Sequence, residues 1–414
     1  MISNIQYTTI GEIADVKGGK RLKKGKVVQD EIADHPYIRV VDFREDGLDS
    51  SNVKYITEDA YRDVARYTIN PDEIYISIAG TIGRVGIIPP SFSGANLTEN
   101  AAKITAINRA FDKRFVMYYL RSEFGQAEIS SKIVGTSQPK LALFRIKEIR
   151  IPQFSTPHQQ KIAAILSAYD DLIENNLRRI KILEEMAQTI YREWFVKFRF
   201  PGHQKVKMVD SSLGKIPEGW EVKRLGAVCS ILMGQSPKSE FYNTNGEGLP
   251  FHQGVTDFGE RFPKTRVYCT FPGRIAEVGD ILFSVRAPVG RLNLADRKII
   301  IGRGLSAIRN LDGYQYFTFH QLKEIFKEED IMGGGTIFKA VTKGDMERIE
   351  FLYPRKEHLA LFEKICSPMA EQLAALGKKN RILRQTRDLL LPKLISGELD
   401  VSELDIKIPE TERN

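Results

Sequence analysis

The densest group of chemistry-bearing side chains lies near the N-terminus. Lys17 and the run Gly19-Lys-Arg-Leu-Lys-Lys-Gly-Lys26 bring Lys17, Lys20, Arg21, Lys23, Lys24 and Lys26 together with no acidic residue among them. The run imitates a phosphate-binding loop, but five residues rather than four separate Gly19 from Gly25. Val27 also stands where a Mg²⁺-binding hydroxyl is needed. Such a run is either a solvated loop or one whose ammonium groups meet nucleic-acid phosphates and set affinity rather than sequence. Reading bases instead takes side chains that bond a base edge twice: Arg to guanine, Asn or Gln to adenine. Candidates of that kind are Arg84, Asn96, Asn100 and Gln138 before the middle of the chain, with Lys140 close by. Beyond the middle they are Gln235, His252, Gln253, Arg286, Arg291 and Arg303, with Lys238 and Lys339 as accompanying cations.

Catalytic motifs are all incomplete. Ile88-Pro-Pro-Ser91 lacks the polar residue and the aromatic with which an amino-methyltransferase bonds its target amine and stacks a flipped base. Pro71-Asp72 is not completed by an acid-x-Lys before residue 150, and Gly333-Gly-Gly335 lacks the further glycine and helix of a dinucleotide fold. The histidines (His35, His158, His203, His252, His320, His358) include no i,i+4 pair for a metal, and no serine sits in a Gly-x-Ser-x-Gly turn. The expectation is a binding protein with no catalytic or metal site of its own.

Composition agrees with a globular nucleic-acid binder. The chain has 414 residues, 42% hydrophobic and 28% charged, which is too long for one core and too apolar for disorder. Its net charge is +8 and its isoelectric point about 9.1, a surplus that permits a polyanionic partner. Three scattered cysteines, Cys229, Cys269 and Cys366, rule out a disulfide framework and fit a reducing cytoplasm. There is no run of about 18 apolar residues for a membrane span, and Met1-Ile-Ser-Asn-Ile-Gln has no charged-then-apolar leader pattern.

The elements that must position these residues come in two copies. Ile10-Gly-Glu-Ile-Ala-Asp-Val-Lys-Gly-Gly19 matches Leu225-Gly-Ala-Val-Cys-Ser-Ile-Leu-Met-Gly234, and Glu73-Ile-Tyr-Ile-Ser-Ile-Ala-Gly-Thr-Ile-Gly-Arg84 matches Asp280-Ile-Leu-Phe-Ser-Val-Arg-Ala-Pro-Val-Gly-Arg291. Gly135-Thr136 matches Gly335-Thr336, and the apolar stretches that follow end at Pro152 and Pro354. The order of signals is the same in both halves, which points to a duplication. Arg84 and Arg291 are equivalent by this repeat and read as holding loop structure, since two domains with different targets need different base contacts.

Each half closes on a heptad seam. In the first it runs through Ile162, Leu166, Tyr169, Ile173, Asn176, Ile180, Leu183, Ala187, Ile190 and Trp194. A shift of 200 reproduces it at Phe362, Cys366, Met369, Leu373, Leu376, Leu383, Leu390 and Leu394, with Asn380 and Arg387 as polar interruptions. Two helices of roughly 50 Å are expected to bury these seams against each other, with Asn176 and Asn380 fixing register. The charged outer faces are either solvated or docking surfaces. Short strands such as Tyr75-Ile-Ser-Ile fill the globular parts. The predicted order is globular domain 1–155, long helix 156–200, linker 201–218, globular domain 219–354, long helix 355–400 and tail 401–414.

This pattern resembles the specificity subunit of type I restriction-modification systems over almost the full chain. The resemblance is carried by Leu177-Arg-Arg-Ile-Lys-Ile-Leu-Glu-Glu-Met-Ala-Gln-Thr-Ile-Tyr-Arg-Glu-Trp-Phe195, Trp220-Glu-Val-Lys-Arg-Leu-Gly226, Ser137-Gln-Pro-Lys-Leu141 and Leu391-Pro-Lys-Leu-Ile-Ser-Gly-Glu-Leu399. It implies a mixed α+β fold: two target recognition domains separated by two long helices packed as an antiparallel coiled coil, with an internal pseudo-two-fold repeat. Each domain would read one half of a bipartite double-stranded DNA target, and the helices would set the spacer. The implied partners are two modification subunits, which bind S-adenosylmethionine and methylate adenine, and in the cleaving complex two restriction subunits. ATP and Mg²⁺ then belong to partners, the chain holds no cofactor, and the complex works in a prokaryotic cytoplasm with no membrane contact. One departure is that Ser137-Gln138-Pro139 becomes Ile337-Phe338-Lys339 in the second half. The competing readings are a stand-alone nuclease and a coiled-coil adaptor that never touches DNA.

Overall fold

A computed structural model of the chain describes residues 6–44, 47–50, 52–135, 137–259, 261–327, 331–332, 336–337 and 340–408. The chain forms two units, residues 1–175 with 380–414 and residues 176–379. Each long helix therefore contributes one part to each unit.

In the first unit, Tyr7–Thr9 pairs antiparallel with Arg150–Pro152, closing the start of the globular domain on its end. The central sheet has the order Asp15–Gly18, Ala101–Thr105, Ile74–Ser77, Val85–Ile87 and is antiparallel throughout. Ile74–Ser77 is buried on both faces, so it reads as a continuous apolar run rather than an alternating one. A second sheet, Lys54–Ile56, His35–Ile38, Ala95–Leu97, Thr68–Ile69, contains a parallel pair between His35–Ile38 and Ala95–Leu97. The helix Lys113–Arg121 is capped by Asp112, whose carboxylate accepts from Phe115 N at 2.9 Å. Its Phe115 and Leu120 share one core with Ile74, Ile76 and Ile104 of the sheet and with Ile162, Leu166 and Leu394 of the long helices.

The second unit repeats this plan, with a second sheet of five strands where the first unit has four. Glu221–Arg224 pairs with Glu350–Tyr353, and the central sheet runs Cys229–Met233, Leu305–Asn310, Ile281–Ser284, Leu292–Leu294. Its second sheet again holds one parallel pair, Leu249–His252 with Ile299–Ile301. The duplication extends to single hydrogen bonds. Gly19 N and Lys20 N donate to Ala101 O and Leu97 O, as Gly234 N and Gln235 N donate to Leu305 O and Ile301 O.

The long helices are Thr156–Tyr191 and Lys356–Ile395, 36 and 40 residues. Within each unit they pack as an antiparallel coiled coil. In the first, Asp170 and Ile173 face Arg387 and Asn380; in the second, Ile180 packs with Leu373 and Leu376, flanked by half-buried Leu183. Asn176 and Asn380 are buried, and the Asn380 amide donates to Ile173 O at 3.4 Å. The expected seam needs one correction. Its outer turns are shared with the globular domains: Ile162, Leu166 and Leu394 join the first globular core, and Ala187, Phe362 and Cys366 the second, where the Phe362 ring also lies 6.2 Å from Tyr191 of the first helix. Only the stretch around Ile173 to Leu183 and Leu373 to Leu383 is buried chiefly by the opposite helix.

Two further expectations change. The helices stop short of 200 and 400. The first ends in a π turn, Arg192–Val196, before Phe198 takes a positive φ of 56°; the second ends before Gly397 with φ 70°. Residues 201–218 do not form a free linker but include the hairpin Met208–Ser211 with Gly214–Pro217. Ile216, Phe200 and Trp220 around it are buried in the second core, with the Phe200 and Trp220 rings 5.0 Å apart. That apolar anchoring is invisible in a polar, turn-rich composition. Among the described residues no helix is long and apolar enough to cross a membrane.

Candidate nucleic-acid interface

The central sheets collect the sequence candidates. Gly18, Ala101, Ser77 and Val85 lie at one end of the first sheet, so loops 19–26, 98–100 and 78–84 leave from that end together. Loop 134–140 joins them through bridges of Lys140 to Val134 and Ala79. Lys20, Arg21, Lys23, Lys24, Arg84, Asn100, Gln138 and Lys140 thus belong to one loop cluster, with Lys17 on the adjoining strand. In the second unit the same sheet end carries loops 234–238, 302–304 and 285–291, where Gln235, Lys238, Arg286, Arg291 and Arg303 sit. Gln253 joins them because Gly304 N donates to its carbonyl at 3.1 Å. Arg286 bridges to Ala340 as Ala79 bridges to Lys140. Lys339 lies outside the described residues.

The glycines that open the basic loop and its counterpart are dictated by backbone crowding. A Cβ on Gly19 would lie 2.0 Å from Thr98 O, and one on Gly234 would lie 2.2 Å from Gly302 O. No side chain fits at either place. Arg84 and Arg291 are equivalent as expected. Each donates its backbone N–H at 2.8 Å to a buried hydroxyl, Ser77 and Ser284 respectively. Those hydroxyls in turn donate to Thr81 O and Pro288 O, which closes the same tight loop in both units.

Two candidates leave the interface. Asn96 is 1% exposed, and its amide donates to Val64 O at 2.8 Å. His252 is 0% exposed, with Nδ1 3.6 Å from the Asp257 carboxylate. Both stand on the parallel strand pair beneath the loops, where the neighbouring strand residues are buried as well and neither face is open.

The basic run is also less free than its sequence implies. Arg21 pairs with Glu99 at 2.6 Å, Lys23 with Asp63 and Lys26 with Asp59. Asp59 and Asp63 stand on the helix Glu58–Val64 or its last turns, distant in sequence, so no local signal announces them. Lys20 lies 5.9 Å from the Tyr67 ring centre, and Lys24 is exposed without an ion pair among the described residues. Beside them an open cleft of about 350 Å³ is lined by Lys17, Arg66, Tyr67 and Lys103. Arg66 is a further exposed cation outside the basic run, brought beside it by the fold. Lys103 is neutralised by Glu73 at 2.7 Å.

Two copies of one recognition fold, each with its loops at one sheet end and each joined to a shared helix pair, define a tandem recognition protein. The family model for the type I restriction modification DNA specificity domain matches the chain twice, over residues 2–185 and 217–388. The chain belongs to that family. It is similar to a specificity subunit assigned to the type I restriction enzyme MjaX of Methanocaldococcus jannaschii, with 30% identity over 96% of this chain and 97% of the relative. It is also similar to the MjaIX specificity subunit of the same organism, with 28% identity over 90% of this chain and 86% of the relative. The crystal structure of a type I S subunit from M. genitalium shares the fold, with 19% identity, a TM-score of 0.57, and coverage of 95% of this chain and 97% of that one.

Proposed function

We propose that this chain is the DNA-sequence specificity subunit of a type I restriction-modification complex. Each recognition domain reads one half of a bipartite double-stranded target, and the helix pair sets the spacer and docks two modification subunits. Two restriction subunits join when the complex cleaves. The chain itself performs no chemistry: S-adenosylmethionine, ATP and Mg²⁺ act on the partner subunits, in the cytoplasm of a prokaryotic cell. The observation that carries this reading is one loop frame built twice on identical backbone bonds, Lys20 N to Leu97 O and Gln235 N to Ile301 O, but bearing different side chains. A shared frame with unlike side chains is what reading two unlike half-sites requires.

The decisive experiment compares DNA methylation in cells with and without this chain. The expected result is one bipartite methylated motif that vanishes when the chain is removed; persistence of every methylated motif refutes the proposal. Incubating the purified chain with DNA, Mg²⁺ and ATP separates it from a stand-alone nuclease. Cleavage or ATP turnover by the chain alone would favour the enzyme.

A further inference from the structure

The two loop frames diverge at one place. In the first unit Arg21, the second residue past Gly19, donates from Nε to Glu99 at 2.6 Å, and Thr98 Oγ1 donates to the same carboxylate at 2.9 Å. Arg39, which follows Ile38, is closed onto Asp42 at 2.9 Å. Charges there are spent within the protein. In the second unit the corresponding place holds Ser236, the second residue past Gly234, with Arg303 opposite and Gln253 following His252.

Ser236 ties the last two together. Its hydroxyl donates to Gln253 Oε1 at 2.8 Å and accepts from Arg303 N–H at 3.1 Å. Gln253 is further confined from below. A Cβ on Gly302 would lie 2.6 Å from Gln253 Oε1, and one on Gly304 would lie 2.5 Å from Gln253 O, so one glycine makes room for this side chain and the other for its backbone. The strand below is pinned by Gly302 N donating to His252 O at 2.8 Å. Gln253 and Arg303 are nevertheless exposed, and the Arg303 guanidinium makes no hydrogen bond or ion pair among the described residues.

We infer that Ser236 is a positioning residue that holds Gln253 and Arg303 as a purine-reading pair of the second recognition domain. This rests on the proposed DNA-reading function. With the Ser236 hydroxyl donating to Gln253 Oε1, the amide Nε2 is left as a donor toward solvent. The carbonyl oxygen keeps a second lone pair, which lets the amide accept from adenine N6 while donating to N7. Arg303 offers the fork that matches guanine O6 and N7. The pair therefore reads neighbouring purine edges in the major groove. The first domain, where Arg21 and Glu99 close on each other, has no equivalent pair.

The test uses the complex assembled with its modification subunits, acting on a duplex library randomised through both half-sites, with methylated products sequenced. Ser236→Ala should reduce discrimination about tenfold at one or two adjacent positions of a single half-site, in line with the worth of a bidentate base contact. Ser236→Thr, which keeps the hydroxyl, should restore it. Gln253→Ala and Arg303→Ala should each relax one of the same positions. The other half-site, read in the same molecules, reports that the variant is folded. The inference is overturned if Ser236→Ala leaves the profile unchanged, or lowers methylation equally for all sequences, while wild type discriminates. A wild-type complex without any sequence preference overturns the specificity reading itself, and this pair with it.

Discussion

Arg387 of the second long helix meets Asp170 of the first at 2.5 Å, and Tyr118 on the domain helix Lys113–Arg121 donates to the same carboxylate at 2.7 Å. Arg121 adds a fourth member at 3.7 Å. One carboxylate thus joins both long helices to the first recognition domain. The arginine that interrupts the heptad seam is its counter-ion, with only 12% of its side chain exposed. Burial opposes the charged guanidinium, but Asp170 and Asp388 outweigh that and hold its pKa above the ordinary value.

Removing the acid alone should therefore be costly. Asp170→Ala leaves Arg387 buried without its main partner and should cost about 3 kcal/mol. The double variant Asp170→Ala with Arg387→Met, which restores an apolar seam, should be more stable than Asp170→Ala alone. Denaturant unfolding measures both. A double variant as unstable as the sum of the singles would show that the two residues are not coupled.

A pH dependence arises at Glu363, which accepts from Phe317 N at 2.9 Å near the start of the helix Gln315–Ile325. Burial pushes its carboxyl up from 4.5 to about 7, against the opposing pull of the Phe317 and Tyr316 backbone N–H groups. The folded state therefore holds this proton more tightly than the unfolded one. This group's contribution to stability is full below about pH 4.5, falls as pH rises to about 7, and then levels off. Glu363→Gln keeps an acceptor for Phe317 N and removes the titration. The variant should match wild type in denaturant unfolding near pH 4.5 and be more stable by about 3 kcal/mol above pH 7. Equal stability at both ends would count against a raised carboxyl.

The lysines of the first loop should separate into two kinds. Lys24→Ala and Lys20→Ala should weaken DNA binding by the assembled complex for all sequences alike, each lowering the slope of log K against log salt by about 1. Lys23→Ala should change that slope less, because Asp63 already holds its charge. Titrations at several salt concentrations decide this. Identical slopes for all three variants would mean the ion pair opens on DNA.

The helix pair should behave as a ruler only through its middle. Four residues inserted after Leu177, matched by four after Leu376, fall where each helix is buried by the other rather than by a globular core. They add about 6 Å to each helix and about 40° of rotation. Because DNA turns about 36° per base pair, the spacer should lengthen by about one base pair, at most two, with both half-sites unchanged. Methylome sequencing of the insertion variant reads the motif. An active variant with the original spacer would defeat the ruler.

Much of this protein is local and therefore legible in the chain. The heptad steps from Ile162 to Trp194 are a property of consecutive residues, and the duplication survives because Gly19 and Gly234 stand where no Cβ fits. The loops that carry most candidates follow strands whose apolar runs are equally plain.

What tertiary structure alone decided is which side chains are available. Asn96 and His252 have the chemistry of base readers, yet both stand on strands covered on both faces and are buried in the core. Asp59, Asp63 and Glu99 reach the basic loop from distant positions and neutralise half of its charge pattern. Ser236, Gln253 and Arg303 carry no shared motif and meet only because separate strands end at one place. Sequence periodicity encodes which face of an element is buried; which distant charge or hydroxyl completes a site depends on where loops close, and that is settled only when the sheets assemble.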